Sequence, residues 1–140
     1  MPRAGYMPRV LIFEDSKAGL FRDLAMAGAA QAGWDGLALD DAAEALHHFD
    51  EGVNALVTAL GTGNRPHLRR QGRFPAIPLI GYSNDHDVPR AILSAHPLAE
   101  FYTRLDSPDI VIDKSALLEV PQKLSAWLLN LSAQSIPKVQ

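Results

Sequence analysis

The sequence contains no cysteine, which excludes a disulfide scaffold, a thiolate zinc site and thiol catalysis. No apolar run approaches the ~20 residues that span a bilayer. The first residues lack the apolar stretch of a secretory signal, so a cytoplasmic location is expected. An excess of charge of one sign is lacking as well. Thirteen Lys+Arg against sixteen Asp+Glu leave a net charge of −3, unlike the strongly basic balance of a general nucleic-acid coat.

What is present is ordinary for a single soluble domain. The 140 residues are 47% apolar and 21% charged, enough for one core and too few for two domains of usual size. Residues 1–8 and 132–140 read as tails, the second holding Pro137, with the folded unit between them at 9–131. Met-Pro-Arg occurs at 1–3 and again at 7–9, so Met7 is a second candidate start.

The body alternates short apolar runs with helix-like stretches. Arg9–Glu14, Trp34–Leu39, Val53–Leu60, Ile77–Ser83 and Ile110–Asp113 read as strands, since short apolar runs bounded by turn signals suit buried strands. Ser16 is expected to cap a helix to about Ala32 that stops at Gly33. Asp40 or Asp41 is expected to cap one through Phe49, with Glu44 near capping-box spacing. Val88–Arg104 reads as helical despite Pro97, and the last helix is expected from about Pro121 to Leu131. Five strands separated by helices predict an α/β fold: three layers, doubly wound around a five-stranded parallel sheet. Chemistry in such sheets gathers at the carboxyl ends of the strands, which here are Glu14, Asp15, Ala59, Ser83 and Lys114.

Those five positions resemble the receiver domain of response regulators in bacterial two-component systems, a flavodoxin-like fold. The resemblance extends from Arg9 to about Leu131. The family's first strand ends in an acidic pair that holds Mg²⁺, matched by Glu14-Asp15. Its fourth strand ends in Thr or Ser, matched by Ser83, and its fifth in Lys, matched by Lys114. Its third strand ends in the aspartate that accepts a phosphoryl group, and this sequence has Ala59 there. Alanine offers neither a nucleophile nor a metal ligand, and phosphoryl transfer to this pocket needs both. The early Asp of the same strand becomes Asn54, and Val111 stands where an aromatic switch residue is expected. Spacing departs too: Ala59 to Ser83 is 24 residues, shorter than the family pattern, and Ser83 to Lys114 is 31, longer. The resemblance therefore implies a degenerate receiver with a vestigial pocket and no enzyme activity.

Each position also has a plainer role. Glu14-Asp15 can simply favour the following helix N-terminus; weak Mg²⁺ binding there, with Asp85 or Asp87 as a substitute ligand, is the one cofactor considered. Lys114 is expected to pair with Glu14 or Asp15. Thr58 is a lesser candidate as replacement acceptor: strand alternation turns it away from the face of residue 59 unless the register shifts by one, and its hydroxyl needs an activating base. His47, His48, His67, His86 and His96 show no metal-ligand spacing and read as structural or surface groups.

The stretch from Gly52 to Asn84 has no acid but carries Arg65, Arg69, Arg70 and Arg73. These arginines suit docking to an acidic protein surface, with nucleic-acid phosphate the lesser alternative. In the last helix, Leu124, Trp127, Leu128 and Leu131 form an apolar stripe, while Leu129 lies off it and is expected to be exposed. The resemblance implies a phosphorylation-independent adaptor for a signalling protein such as a histidine kinase, with a homodimer through the last strand and helix as a further expectation. The other readings are a flavodoxin-like ligand binder or enzyme at the acidic strand end, and a nucleic-acid binder through the arginine loop. Against the former, EDSKAG after the first strand is no Gly-rich phosphate loop, and Gly61-Thr62-Gly63-Asn64 is only a weak cradle.

Overall fold

Parallel strands buried on both faces need near-continuous apolar runs, and the centre of the sheet consists of such runs. The computed structural model describes residues 7–14, 19–59, 77–94, 110–113 and 117–135. Strand β1 spans Arg9–Phe13, β2 Asp35–Leu39, β3 Ala55–Ala59, β4 Arg90–Ser94 and β5 Ile110–Asp113. They form one parallel sheet in the order β2-β1-β3-β4-β5. Residues 10–13 and 55–59 are buried without exception, whereas the edge strand β2 is half-buried throughout.

Helices cover both faces. Among the described residues these are α1 (Leu20–Gln31), α2 (Ala42–Glu51), α3 (Ile77–Asp85) and α4 (Val120–Ser135), the last preceded by a 3₁₀ turn at Leu117–Glu119. Val10, Ile12, Val57, Ala59 and Leu93 turn toward α1 and α4, meeting Ala25, Ala29, Leu124 and Trp127. Leu11, Phe13, Leu56 and Ile92 turn the other way and meet Ala45 and Phe49 of α2 and Leu79 and Ile80 of α3. The period-two alternation of each strand thus feeds two separate apolar layers.

Local chemistry sets the ends. The Asp41 carboxylate accepts from the Glu44 backbone N–H at 3.3 Å, capping α2. Gly33, at φ +75°, follows the end of α1, where a residue with a side chain would be strained. The expected cap at Ser16 lies outside the described residues, and the residue in the N-cap position of α1 is Gly19.

Three expectations need correction. Ile77–Ser83 lies within helix α3, not in a strand. Short apolar runs do not distinguish strand from buried helix; here Pro78 sits in the first turn, where its missing N–H costs nothing. Leu79, Ile80 and Ser83 are buried, a helical spacing. The fourth strand is instead Arg90–Ser94, inside the stretch read as helical, because Leu56, Val57, Thr58 and Ala59 register against Arg90, Ala91, Ile92 and Leu93. Finally, α4 continues to Ser135 rather than stopping at Leu131. Ser132, assigned to a tail, accepts a hydrogen bond from the Trp34 indole N–H at 2.9 Å.

Candidate functional site

The chain runs from β1 outward to β2 and then returns past β1 to β3, so the crevice at the carboxyl ends of β1 and β3 is the switch point of the sheet. Phe13 registers with Thr58, which brings Glu14 beside Ala59 at the head of that crevice. Ala59 registers with Leu93, and Leu93 with Ile112. One step further along, Ser94 registers with Asp113, and Lys114 follows next in the sequence. The carboxyl edge therefore carries Glu14, Ala59, Ser94 and the residue before Lys114.

Glu14 is only 4% exposed. Its backbone N–H donates to the Leu39 carbonyl at 3.2 Å, continuing the β1–β2 pairing. Its backbone carbonyl accepts from Arg22 Nη1 at 2.6 Å. Arg22 lies in the first turn of α1, and its guanidinium reaches back over the end of β1. An added Cβ at Gly19 (φ +72°) would fall 2.8 Å from Arg22 Nη2. Glycine there serves both the left-handed backbone and the guanidinium packed against it.

Ala59 is 3% exposed and packs into the α1–α4 layer. A methyl group thus fills the head of β3. Thr58 is fully buried, and its hydroxyl donates to the Ala59 carbonyl at 3.2 Å. Alternation puts it on the opposite face from Ala59, as its place in the strand requires.

Ser83 does not join this group. It sits in α3, fully buried, with its hydroxyl donating to the Ile80 carbonyl at 2.8 Å. The segment after it leads into the start of β4, where Leu56 N–H donates to the Pro89 carbonyl at 2.9 Å. That places Ser83, and likewise Asp85 and Asp87, toward the amino edge of the sheet, away from Glu14. Asp85 and Asp87 are therefore not substitute ligands. Ser94 is the hydroxyl residue that ends the fourth strand, so the two spacings measured from Ser83 do not describe the strand ends.

Asn54 is likewise an amino-edge residue: its side-chain oxygen accepts from Arg9 N–H at 2.9 Å, tying β3 to β1. Asp15, Lys114, Arg65, Arg69, Arg70 and Arg73 lie outside the described residues. Leu129 is 52% exposed, while Leu124 and Leu128 are buried.

The resemblance to receivers implies Mg²⁺ at this edge, and the described residues do not fit one. The β3 position offers a methyl group in place of a carboxylate, and a guanidinium already sits on the Glu14 carbonyl. Among the described residues no three His, Asp or Glu side chains are grouped to hold a metal ion. His47 and His48 both face Glu51, at 3.8 and 2.8 Å, and His86 stacks on Tyr82 with ring centroids 3.9 Å apart. No described helix is long and apolar enough to cross a membrane.

Sequence reasoning missed Arg22. Its signal was an arginine one turn into a helix, three residues after a glycine and eight after a buried strand-end acid. That pattern acquires meaning only when the helix folds back.

Sheet order and layering define a flavodoxin-like, doubly wound α/β domain. Within that class the fold is the receiver type. The chain is similar to a response regulator receiver domain from Methanospirillum hungatei JF-1, with a TM-score of 0.63, 14% identity, and coverage of 93% of this chain and 100% of that one. A receiver domain from Rhodospirillum rubrum gives a TM-score of 0.64 at 15% identity, covering 94% and 99% of the two chains. The signal receiver domain of a protein described as a Luxo repressor, from Vibrio parahaemolyticus, gives 0.66 at 14%, covering 96% and 100%. No family model matches the sequence, and comparison with curated proteins returns no match. At these identities the likeness establishes the fold.

Proposed function

We propose that this chain is a phosphorylation-independent receiver-like adaptor, which binds a protein partner in a two-component-type pathway and carries no catalysis of its own. One observation bears most of the weight: the head of β3 beside Glu14 is the buried methyl group of Ala59. An acyl phosphate needs a carboxylate oxygen there to attack phosphorus in line. The buried neighbour Thr58 faces the other layer, and its hydroxyl, which would need an activating base to attack, donates to the Ala59 carbonyl. With no phosphoryl group to contact, Ser94 and Lys114 have no switching role, and the domain presents one surface permanently.

The partner surfaces that suit this role are the arginines at 65, 69, 70 and 73 and the exposed Leu129 on α4. The arginines favour an acidic protein surface such as that of a histidine kinase or another signalling protein. Leu129 favours an apolar contact, a second copy of the chain included.

The test exposes the protein to acetyl phosphate with Mg²⁺, read by intact mass, and to beryllofluoride with Mg²⁺, read by amide NMR. The expected result is no phosphoryl adduct and no saturable shift at Glu14, Asp15, Ser94 or Lys114. A stoichiometric adduct, or saturable shifts at those residues that Mg²⁺ alone does not produce, defeats the proposal.

A further inference from the structure

In a receiver-type sheet the carboxyl end of β1 is the place for a cation, and this chain supplies one from its own first helix. We infer that the Arg22 guanidinium stands in for the divalent ion, as a built-in cation that fixes the acidic strand end. The inference rests on the adaptor reading above and specifies how its site is held.

Three observations converge. Arg22 Nη1 donates to the Glu14 carbonyl at 2.6 Å, a charge-assisted bond. Glu14 itself is 4% exposed, so the guanidinium on its backbone carbonyl acts in a poorly hydrated strand end. Gly19, at φ +72°, leaves open the space beside Arg22 Nη2, which lies 2.8 Å from where an added Cβ would stand. The adjacent β3 position, which would complete a metal site, is the methyl group of Ala59.

The chemistry favours the guanidinium over a metal. Mg²⁺ asks for near-octahedral oxygen ligands and keeps several waters. The half-buried approach at Arg22 supplies a planar, permanently charged group whose fixed N–H donors match oxygen acceptors. A dication brought beside it meets like-charge repulsion in a poorly screened site. A β3 position without a carboxylate and a cation supplied by the chain itself act together: the site is closed to metal and needs none.

The experiment compares wild type, Arg22→Met and Arg22→Lys by thermal melting with and without Mg²⁺, and by Mn²⁺ broadening of the Glu14, Gly19 and Ala59 amide signals. Wild type is expected to show no Mg²⁺ stabilisation and no site-specific broadening. Arg22→Met is expected to melt about 5–10 °C lower, to regain part of that on adding Mg²⁺, and to show broadening centred on Glu14. Arg22→Lys is expected to stay near wild type in its metal response.

Saturable Mn²⁺ broadening at Glu14 in the wild type overturns the inference, as does an Arg22→Met protein that neither loses stability nor responds to metal. If Arg22→Met does not fold, Glu14→Gln/Arg22→Met decides. Recovery of folding in the double variant supports charge balance at this site, and its failure removes it. A wild type that binds Mn²⁺ but takes no phosphoryl group defeats this inference while leaving the adaptor reading intact. A wild type that is phosphorylated defeats the adaptor reading.

Discussion

Gly28 shows how closely one residue can set the spacing of two helices. An added Cβ would lie 2.7 Å from the Pro121 carbonyl oxygen and 3.2 Å from Leu124 Cβ, so α1 and α4 meet there with no room for a methyl group. Alanine would raise helix propensity by up to about 1 kcal/mol, but its first obstacle is backbone, which cannot swing aside. Overpacking of this kind costs about 1–3 kcal/mol, so the loss wins. Gly28→Ala is therefore expected to lower the urea midpoint of unfolding with an unchanged denaturant slope. A more stable variant would mean that the helices are farther apart than described. At the same scale, Ala59 was legible in the sequence because an absent carboxylate is a matter of residue identity. The Arg22–Glu14 contact was not, because it depends on where a helix start folds relative to a strand end.

Among the elements, α3 departs furthest from its sequence reading. Ile-Pro-Leu-Ile-Gly-Tyr-Ser has the apolar density of a buried strand, yet it forms a helix whose Tyr82 ring packs 4.7 Å from that of Phe49 on α2. Gly81 supplies a direct test. It is exposed in the middle of α3, and a Cβ added there meets nothing within 4 Å. In a helix, Gly81→Ala should stabilise the protein by about 0.5–1 kcal/mol, because glycine has more backbone freedom to lose on folding. Equilibrium denaturation checks this, and a destabilised variant would count against the helix. The elements that sequence located well, β1, β3, β5 and α2, carry signals inside their own length: short, mainly apolar β-branched runs in the first three, and Asp41 with its bond to Glu44 N–H in the last.

For the whole molecule, two apolar layers share one sheet, and each central strand contributes alternate residues to both. Neither layer can dissolve without exposing the strands that line the other, so unfolding is expected to be cooperative. Trp34 and Trp127, the two tryptophans of the chain, report the α1–α4 layer, and Tyr82, one of three tyrosines, reports the α2–α3 layer once Tyr6 and Tyr102 are also replaced by Phe. Tryptophan fluorescence and the near-ultraviolet dichroism of a Tyr6→Phe/Trp34→Phe/Tyr102→Phe/Trp127→Phe variant, each referred to its own protein's far-ultraviolet curve, should show coincident transitions. Separated transitions would mean that one layer opens alone. By itself the sequence determined the class of fold, since alternating apolar runs and capped helices with no hairpin between them leave a parallel sheet covered on both sides. It also determined that residue 59, at the head of β3, is alanine and not a carboxylate. Only tertiary structure decided which short apolar segment became the fourth strand, and so replaced Ser83 by Ser94 at the carboxyl edge. The physical reason is that a strand inside a parallel sheet is selected by partners far away in the chain. Arg90–Ser94 had β3 on one side and β5 on the other, while Ile77–Asp85 could satisfy its backbone groups within a helix and bury Leu79 and Ile80 against the finished sheet.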